Sequence, residues 1–179
     1  MFEYCNNLKS FISDLPSLTN GYSMFAYSNL SSFSSDLSSL TCGYFMFHRC
    51  SNLATFSSDL PSLTYGYGTF DKCTKLKSFS SDLSSLINGE WMFPNCTNLT
   101  SFNSNLSSLT YGRDMFYMCK LDAASVMYIA DSIKDITAEK QLYTNGTIPY
   151  VTVDTSSYPN VYSATKGFMS NGNYVYTYD

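Results

Sequence analysis

The side chains in this sequence that could act as nucleophiles or metal ligands are spread one per repeating unit and do not cluster. Cys5, Cys50, Cys73, Cys96 and Cys119 share one position of a recurring pattern, and Ser28 fills it in the second unit. Cys42 stands apart, just before Gly43. A zinc site calls for Cys-x-x-Cys knuckles or grouped histidines, and a disulfide framework for paired spacings. Neither pattern is present. One thiol per unit reads as a ladder of free, buried, small side chains; disulfides between adjacent turns and a metal are the alternatives. The one histidine, His48, lies beside Arg49 in a variable turn position and reads as solvated rather than as a base for Cys50. No glycine-rich phosphate loop appears. The repeated carboxylates are Asp14, Asp36, Asp59 and Asp82, with Asn105 closing the series. They suit Asx-turns that tie down a backbone N–H, with a bound cation as the alternative. Without a convergent acid, base and nucleophile, the expectation is a protein that is not an enzyme and carries no cofactor.

The elements that position these side chains come from a unit written five times: Met-Phe-x-x-Cys-x-Asn-Leu-x-Ser-Phe-x-Ser-Asp-Leu-x-Ser-Leu-x-x-Gly-x-x. It opens at Met1, Met24, Met46, Thr69 and Met92, in steps of 23, 22, 23 and 23 residues, and a clipped sixth copy opens at Met115. A fixed period of this length signals a solenoid in which each unit buries its apolar face against its neighbours. Leu8, Phe11, Leu15 and Leu18 recur in every later copy, as does the Phe of each Met-Phe pair, from Phe2 to Phe116. Positions apolar in every copy face inward, and strands of a ladder lie about 4.8 Å apart, so each column becomes a continuous apolar rib. Leu-x-Ser-Phe-x-Ser alternates as a half-buried strand does. Gly21, Gly43, Gly66, Gly89 and Gly112 are expected at positive φ in the turns. Pro16 and Pro61 mark a position that gives no ladder hydrogen bond.

This order of residues resembles the leucine-rich repeats of BspA-like bacterial surface proteins, and the Met-Phe-x-x-Cys repeats of mycoplasma-type lipoproteins. The match covers residues 1 to about 121. The resemblance implies a β-rich leucine-rich-repeat stack of about five units. It also implies a surface-exposed or secreted protein, often adhesive; similar repeats look at home in phage-encoded proteins.

Two exposed features are candidate binding surfaces. The first is the strand face, where Ser32 and Ser34, Thr55 and Ser57, Ser78 and Ser80, then Ser101 and Asn103 flank the inward Phe and form two outward columns of short polar side chains. Such a lattice suits a repetitive ligand such as a glycan; its plainer meaning is a small, soluble choice on a crowded strand. The second is aromatic: Tyr22, Tyr44, Tyr65, Tyr67, Trp91 and Tyr111 flank the turn glycines, in a chain with 16 Tyr. Tyr and Trp dominate recognition surfaces, and they also shield rib edges from water.

Only 13% of residues are charged and the formal net charge is -4. No Lys or Arg run exists, which argues against a nucleic-acid partner, and no apolar run is long enough for membrane insertion. Met1 leads at once into Phe2-Glu3-Tyr4-Cys5, which is repeat sequence, with no signal peptide visible.

The pattern stops after Cys119. Residues 122–179 are expected as a small α+β cap on a solenoid spanning 1–121. The expected elements are a helix with apolar positions at 126, 129, 130, 133 and 136 and Asp122 or Ser125 as N-cap, a strand at Ile148–Asp154, a helix at Tyr162–Met169 and a last strand at Tyr174–Tyr178. Phe2, Leu8 and Phe11 would lie on an uncapped N-terminal end, covered by another copy, a partner or further chain. The reading is a recognition or adhesion module for protein or glycan, at the cell surface, outside the cell or on a virion rather than in the cytoplasm. The rivals are a structural assembly component docking through the N-terminal end, and a phage-encoded inhibitor of a host protein.

Overall fold

The computed structural model describes residues 2–132 and the pairs Met169–Ser170 and Asn173–Tyr174. Five two-residue strands recur at one position of the repeat: β1 (Ser10–Phe11), β2 (Ser32–Phe33), β3 (Thr55–Phe56), β4 (Ser78–Phe79) and β5 (Ser101–Phe102). β1, β2 and β3 pair in parallel and in register, Phe against Phe, as do β4 and β5. A second ladder of single-residue parallel bridges runs Asn20, Cys42, Tyr65, Asn88, Tyr111. It carries the stack across the gap between β3 and β4. Each turn thus adds one short strand and one bridge to its neighbour, giving a repeat β-rich fold.

The inward columns pack as expected. Phe25, Phe47, Phe70, Phe93 and Phe116 are buried and stack nearly parallel, with centroids 5.2 to 5.6 Å apart. Phe33, Phe56, Phe79 and Phe102 form a second stack. Between the stacks the rings meet edge to face, as in Phe33 on Phe47 at 4.8 Å. Both arrangements satisfy the ring quadrupole. The first turn differs. Phe2, Leu8, Phe11, Leu15 and Leu18 touch the core yet are only partly buried.

The turn glycines depart from expectation. None of Gly21, Gly43, Gly66 or Gly89 has positive φ; nor does Gly112. Their reason is room. A Cβ on Gly21 would sit 2.6 Å from Met46 Sδ, and one on Gly66 3.1 Å from Met92 Sδ, so the glycine admits the methionine of the next turn. The left-handed conformation falls instead at two variable columns: Ser23, Phe45, Gly68, Trp91 and Asp114, and Tyr4, Tyr27, Arg49, Lys72, Asn95 and Met118. Left-handed backbone costs an L-residue roughly 1–2 kcal/mol. The offset is visible: Phe45 N donates to Tyr67 O at 3.0 Å, Arg49 N to Asp71 O at 2.7 Å and Asn95 N to Tyr117 O at 2.7 Å. The twist aims each of these N–H groups at the next turn, where it would otherwise be unpaired.

After the repeats comes α1 (Ala123–Ser132), which lies against β5. Asp122 Oδ1 accepts from Ser125 N at 2.8 Å, making Asp122 the N-cap. Ser125 serves the stack instead: its Oγ accepts from Phe102 N at 2.8 Å, and Val126 and Ile129 join the core. Met169–Ser170 pairs antiparallel with Asn173–Tyr174. The expected helix through Met169 is therefore corrected at its end, where Met169 pairs as a strand residue with Tyr174. The expected strand at Ile148–Asp154, the rest of the helix from Tyr162, the helical positions 133 and 136 and the strand beyond Tyr174 lie outside the described residues.

Candidate functional site

The strand face is built by the alternation. Each inward Phe leaves its two neighbours outward, and Ser32, Ser34, Thr55, Ser57, Ser78, Ser80, Ser101 and Asn103 are all exposed. Ser34 and Ser57 join Asp14, Asp36, Asp59 and Pro61 along an open groove of about 470 Å³. Ile12, at the same position as Ser34, is 85% exposed and breaks the polar column in the first turn.

The carboxylates of the repeated Asp column cap backbone in two ways, and proline decides which. Asp36 Oδ1 accepts from Ser38 N at 2.8 Å and Asp82 Oδ1 from Ser84 N at 2.9 Å, both Asx-turns. Asn105 repeats this with Ser107 N. The Ser38 bonds hold the Asp36 carboxyl below its ordinary range. Where the residue two places on is Pro16 or Pro61 there is no N–H to accept from. There Asp14 Oδ1 takes Asp36 N at 3.0 Å, and Asp59 Oδ1 takes Asp82 N at 3.2 Å. Those two carboxylates stitch one turn to the next. Among the described residues no group of three His, Cys, Asp or Glu is arranged to hold a metal ion.

The buried thiols have a task that spacing alone does not reveal. Cys50 Sγ donates to Phe25 O at 3.0 Å, Cys73 to Phe47 O at 3.2 Å, Cys96 to Phe70 O at 3.1 Å and Cys119 to Phe93 O at 3.2 Å. All six cysteines are free. Burial pushes the Cys50 thiol up to about 11, despite Ser28, and moves Cys73, Cys96 and Cys119 up as well. A thiol kept protonated is a poor nucleophile, which suits a structural column.

The aromatic edge is a connected belt. Tyr4 stacks on Tyr27 at 4.6 Å, Tyr27 meets His48 at 5.1 Å, His48 meets Phe45 at 5.4 Å, and Phe45 meets Tyr67 at 5.4 Å. Tyr44 then joins Tyr67 at 5.9 Å and Tyr65 at 6.4 Å. Gly68 makes room, since a Cβ there would lie 2.5 Å from the Phe45 ring. Of the sequence candidates, Tyr44, Tyr65 and Tyr67 come together here, and Trp91 stands beside Tyr117 at 6.1 Å. Tyr22 and Tyr111 are exposed outside the belt.

His48 is not the solvated turn residue its surroundings in sequence suggest. Its ring is wedged between Tyr27 and Phe45, and Nδ1 lies 2.9 Å from Asp71 Oδ2, both side chains largely covered. Burial holds the imidazole below its ordinary range, Asp71 pulls it up, and Arg49 and Lys72 push it down. The cause is the neighbouring turn: Asp71 sits one repeat on, which a local reading of the His-Arg dipeptide does not see. Sequence reasoning also missed that Arg49, Lys72 and Asn95 line up in one column with Tyr27. Its signal was present, as the one variable residue directly before each Cys or Ser28. A third omission is the buried serine column of Ser35, Ser58, Ser81 and Ser104, where Ser58 Oγ accepts from Ser35 N at 2.9 Å.

Stacked short parallel strands, inward Leu and Phe ribs and polar outer columns define a leucine-rich-repeat protein. The family model for BspA type leucine rich repeat regions matches six copies over residues 1–54 and 19–145, and the chain belongs to that family. Such repeats commonly mediate protein binding or adhesion, are generally non-enzymatic and typically sit at the surface or outside the cell. Comparison with curated proteins and with solved structures found no match. No described helix is long and apolar enough to cross a membrane.

Proposed function

We propose that the chain is a recognition module that binds a protein or glycan ligand at a cell or particle surface, through the strand face and the adjoining Tyr-rich turns. The observation that carries this reading is the lattice of exposed Ser, Thr and Asn repeated in register on successive strands. Such groups present donors and acceptors at the strand spacing of about 4.8 Å. Tyr44, Tyr65 and Tyr67 add amphipathic area that loses little entropy on binding. A glycan array run beside a pull-down from host-cell lysate tests it: specific capture in either supports recognition, and silence in both removes it.

A second reading is favoured by one observation, the half-covered apolar set Phe2, Leu8, Phe11, Leu15 and Leu18. In that reading the first turn docks on a further unit and the protein is an assembly component. Light scattering over a concentration series separates the two, because an assembler gains mass and a receptor module does not.

A further inference from the structure

A second groove lies on the turn edge. It is open, about 510 Å³, and is lined by Tyr27, Arg49, Lys72, Asn95, Ser51, Thr74 and Thr97. It shares no lining residue with the groove on the strand face. Its walls are two columns crossing three consecutive turns: Arg49, Lys72 and Asn95, all with left-handed φ, and the hydroxyls Ser51, Thr74 and Thr97. The backbone N–H groups of the first column are all bonded to the next turn, at 2.7 to 2.9 Å. The roots of these side chains are therefore fixed by the ladder.

The charges of this groove are unbalanced. Among the described residues the close ionic contacts are His48 with Asp71 and Arg113 with Asp114. Arg49 and Lys72 thus have no carboxylate partner there. Asp71, next to Lys72 in the chain, is turned to His48 and to Asn95 Nδ2 at 3.3 Å. Two cations sit one turn apart in a chain of net charge -4, and like charges on adjacent strands repel. A ligand anion relieves that repulsion. The Arg49 guanidinium lies over the Tyr27 ring, 5.5 Å from its centre, and Tyr4 stacks on the same ring, so the charge is held in place by a fixed aromatic support.

Spacing selects the kind of anion. An extended peptide shows side chains on one face every two residues, about 6.6 Å, which drifts out of step with turns about 4.8 Å apart. A chain of linked pyranose rings advances by close to one turn per ring. It brings hydroxyls for Ser51, Thr74 and Thr97. Thr74 Oγ1 donates to Ser51 O at 3.2 Å and keeps its lone pairs for a ligand hydroxyl. We infer that this groove binds an acidic glycan along the stack axis, one sugar per turn, with carboxylate or sulfate groups over Arg49 and Lys72. The inference rests on the recognition reading for the protein's role, but not on the strand face for the site.

The test uses the full chain on immobilised polygalacturonate, dextran sulfate, neutral dextran and polyglutamate. Binding to one of the two acidic polysaccharides is expected, the choice telling carboxylate from sulfate, with little on neutral dextran or polyglutamate. The double variant R49Q/K72Q should weaken it about tenfold, as loss of two charge-assisted contacts does, with an unchanged melting temperature. The strand-face variant Ser57→Tyr should leave it intact. Equal binding to polyglutamate, no binding to either acidic polysaccharide, or full binding by R49Q/K72Q overturns the inference. If Ser57→Tyr abolishes binding while R49Q/K72Q does not, the groove is wrong and recognition by the strand face stands. A positive glycan array with no acidic hit likewise removes only the groove.

Discussion

The inward phenylalanine column and the left-handed edge column are drawn by the same backbone repeat, yet they treat sequence in opposite ways. In the first, Phe25, Phe47, Phe70, Phe93 and Phe116 are one residue type, each stacked on its copies. In the second, Tyr27, Arg49, Lys72, Asn95 and Met118 share φ values of 57 to 63 degrees and almost nothing else. Close packing punishes a change of shape inside. Outside, the ladder bond from the N–H of Tyr27, Arg49, Lys72 and Asn95 holds the backbone whatever the side chain is. A periodic scaffold therefore separates the residues that make the stack from those free to make it selective.

The largest test of that contrast is Phe47→Ala. Its ring has partners above, below and edge-on, so the loss should be about 3–5 kcal/mol by denaturant titration. Phe11→Ala, in the half-covered first turn, should cost well under half of that, and an equal cost would erase the distinction between first and inner turns. Gly66→Ala comes next. The added methyl meets Leu86 Cδ1 and Met92 Sδ at 3.1 Å, and about 1–3 kcal/mol is expected from overpacking. No loss would mean that the glycines are not there for room.

Cysteine sharpens the comparison further. Cys73→Ala removes one of two donors to the buried Phe47 O, which keeps Cys50 N at 3.0 Å, so the cost should be about 0.5–1.5 kcal/mol. Cys73→Ser should cost less, because the hydroxyl still donates and Ser28 already stands in this column. Thiol labelling of the native protein should modify Cys5 and Cys42, which are partly exposed, and spare the four buried ones until unfolding.

At the edge the effects shrink. Lys72→Asn, copying Asn95 one turn on, should change stability by no more than about 0.5 kcal/mol. His48 is the edge residue with a pH signature. Its proton affinity is lowered in the fold, so the unfolded chain binds the proton more readily. Its contribution is complete above the ordinary histidine range of about 6.5 and is lost as pH falls through the lower folded value. The melting temperature should decline as pH falls from about 6.5 toward that value, and His48→Phe, which keeps a ring between Tyr27 and Phe45, should flatten the decline. An identical slope in the variant would show that the carboxylates alone carry it.

Sequence by itself determined the repeat, its period, the inward Leu, Phe and Cys columns and the outward hydroxyl columns, because each follows from residue type at a fixed interval. It also gave the family resemblance that the six matched copies establish. Tertiary structure decided what depends on the neighbouring turn. It placed Asp71 against His48, aimed each of the four buried thiols at a carbonyl of an adjacent turn, and let Pro16 and Pro61 divert Asp14 and Asp59 from local caps to inter-turn bonds. It moved the left-handed conformation from the glycines to the edge columns, and so brought Arg49 and Lys72 into one groove. Period fixes which residues are equivalent; only stacking fixes which of them touch, since partners 22 to 26 residues apart are adjacent solely through the coil of the chain.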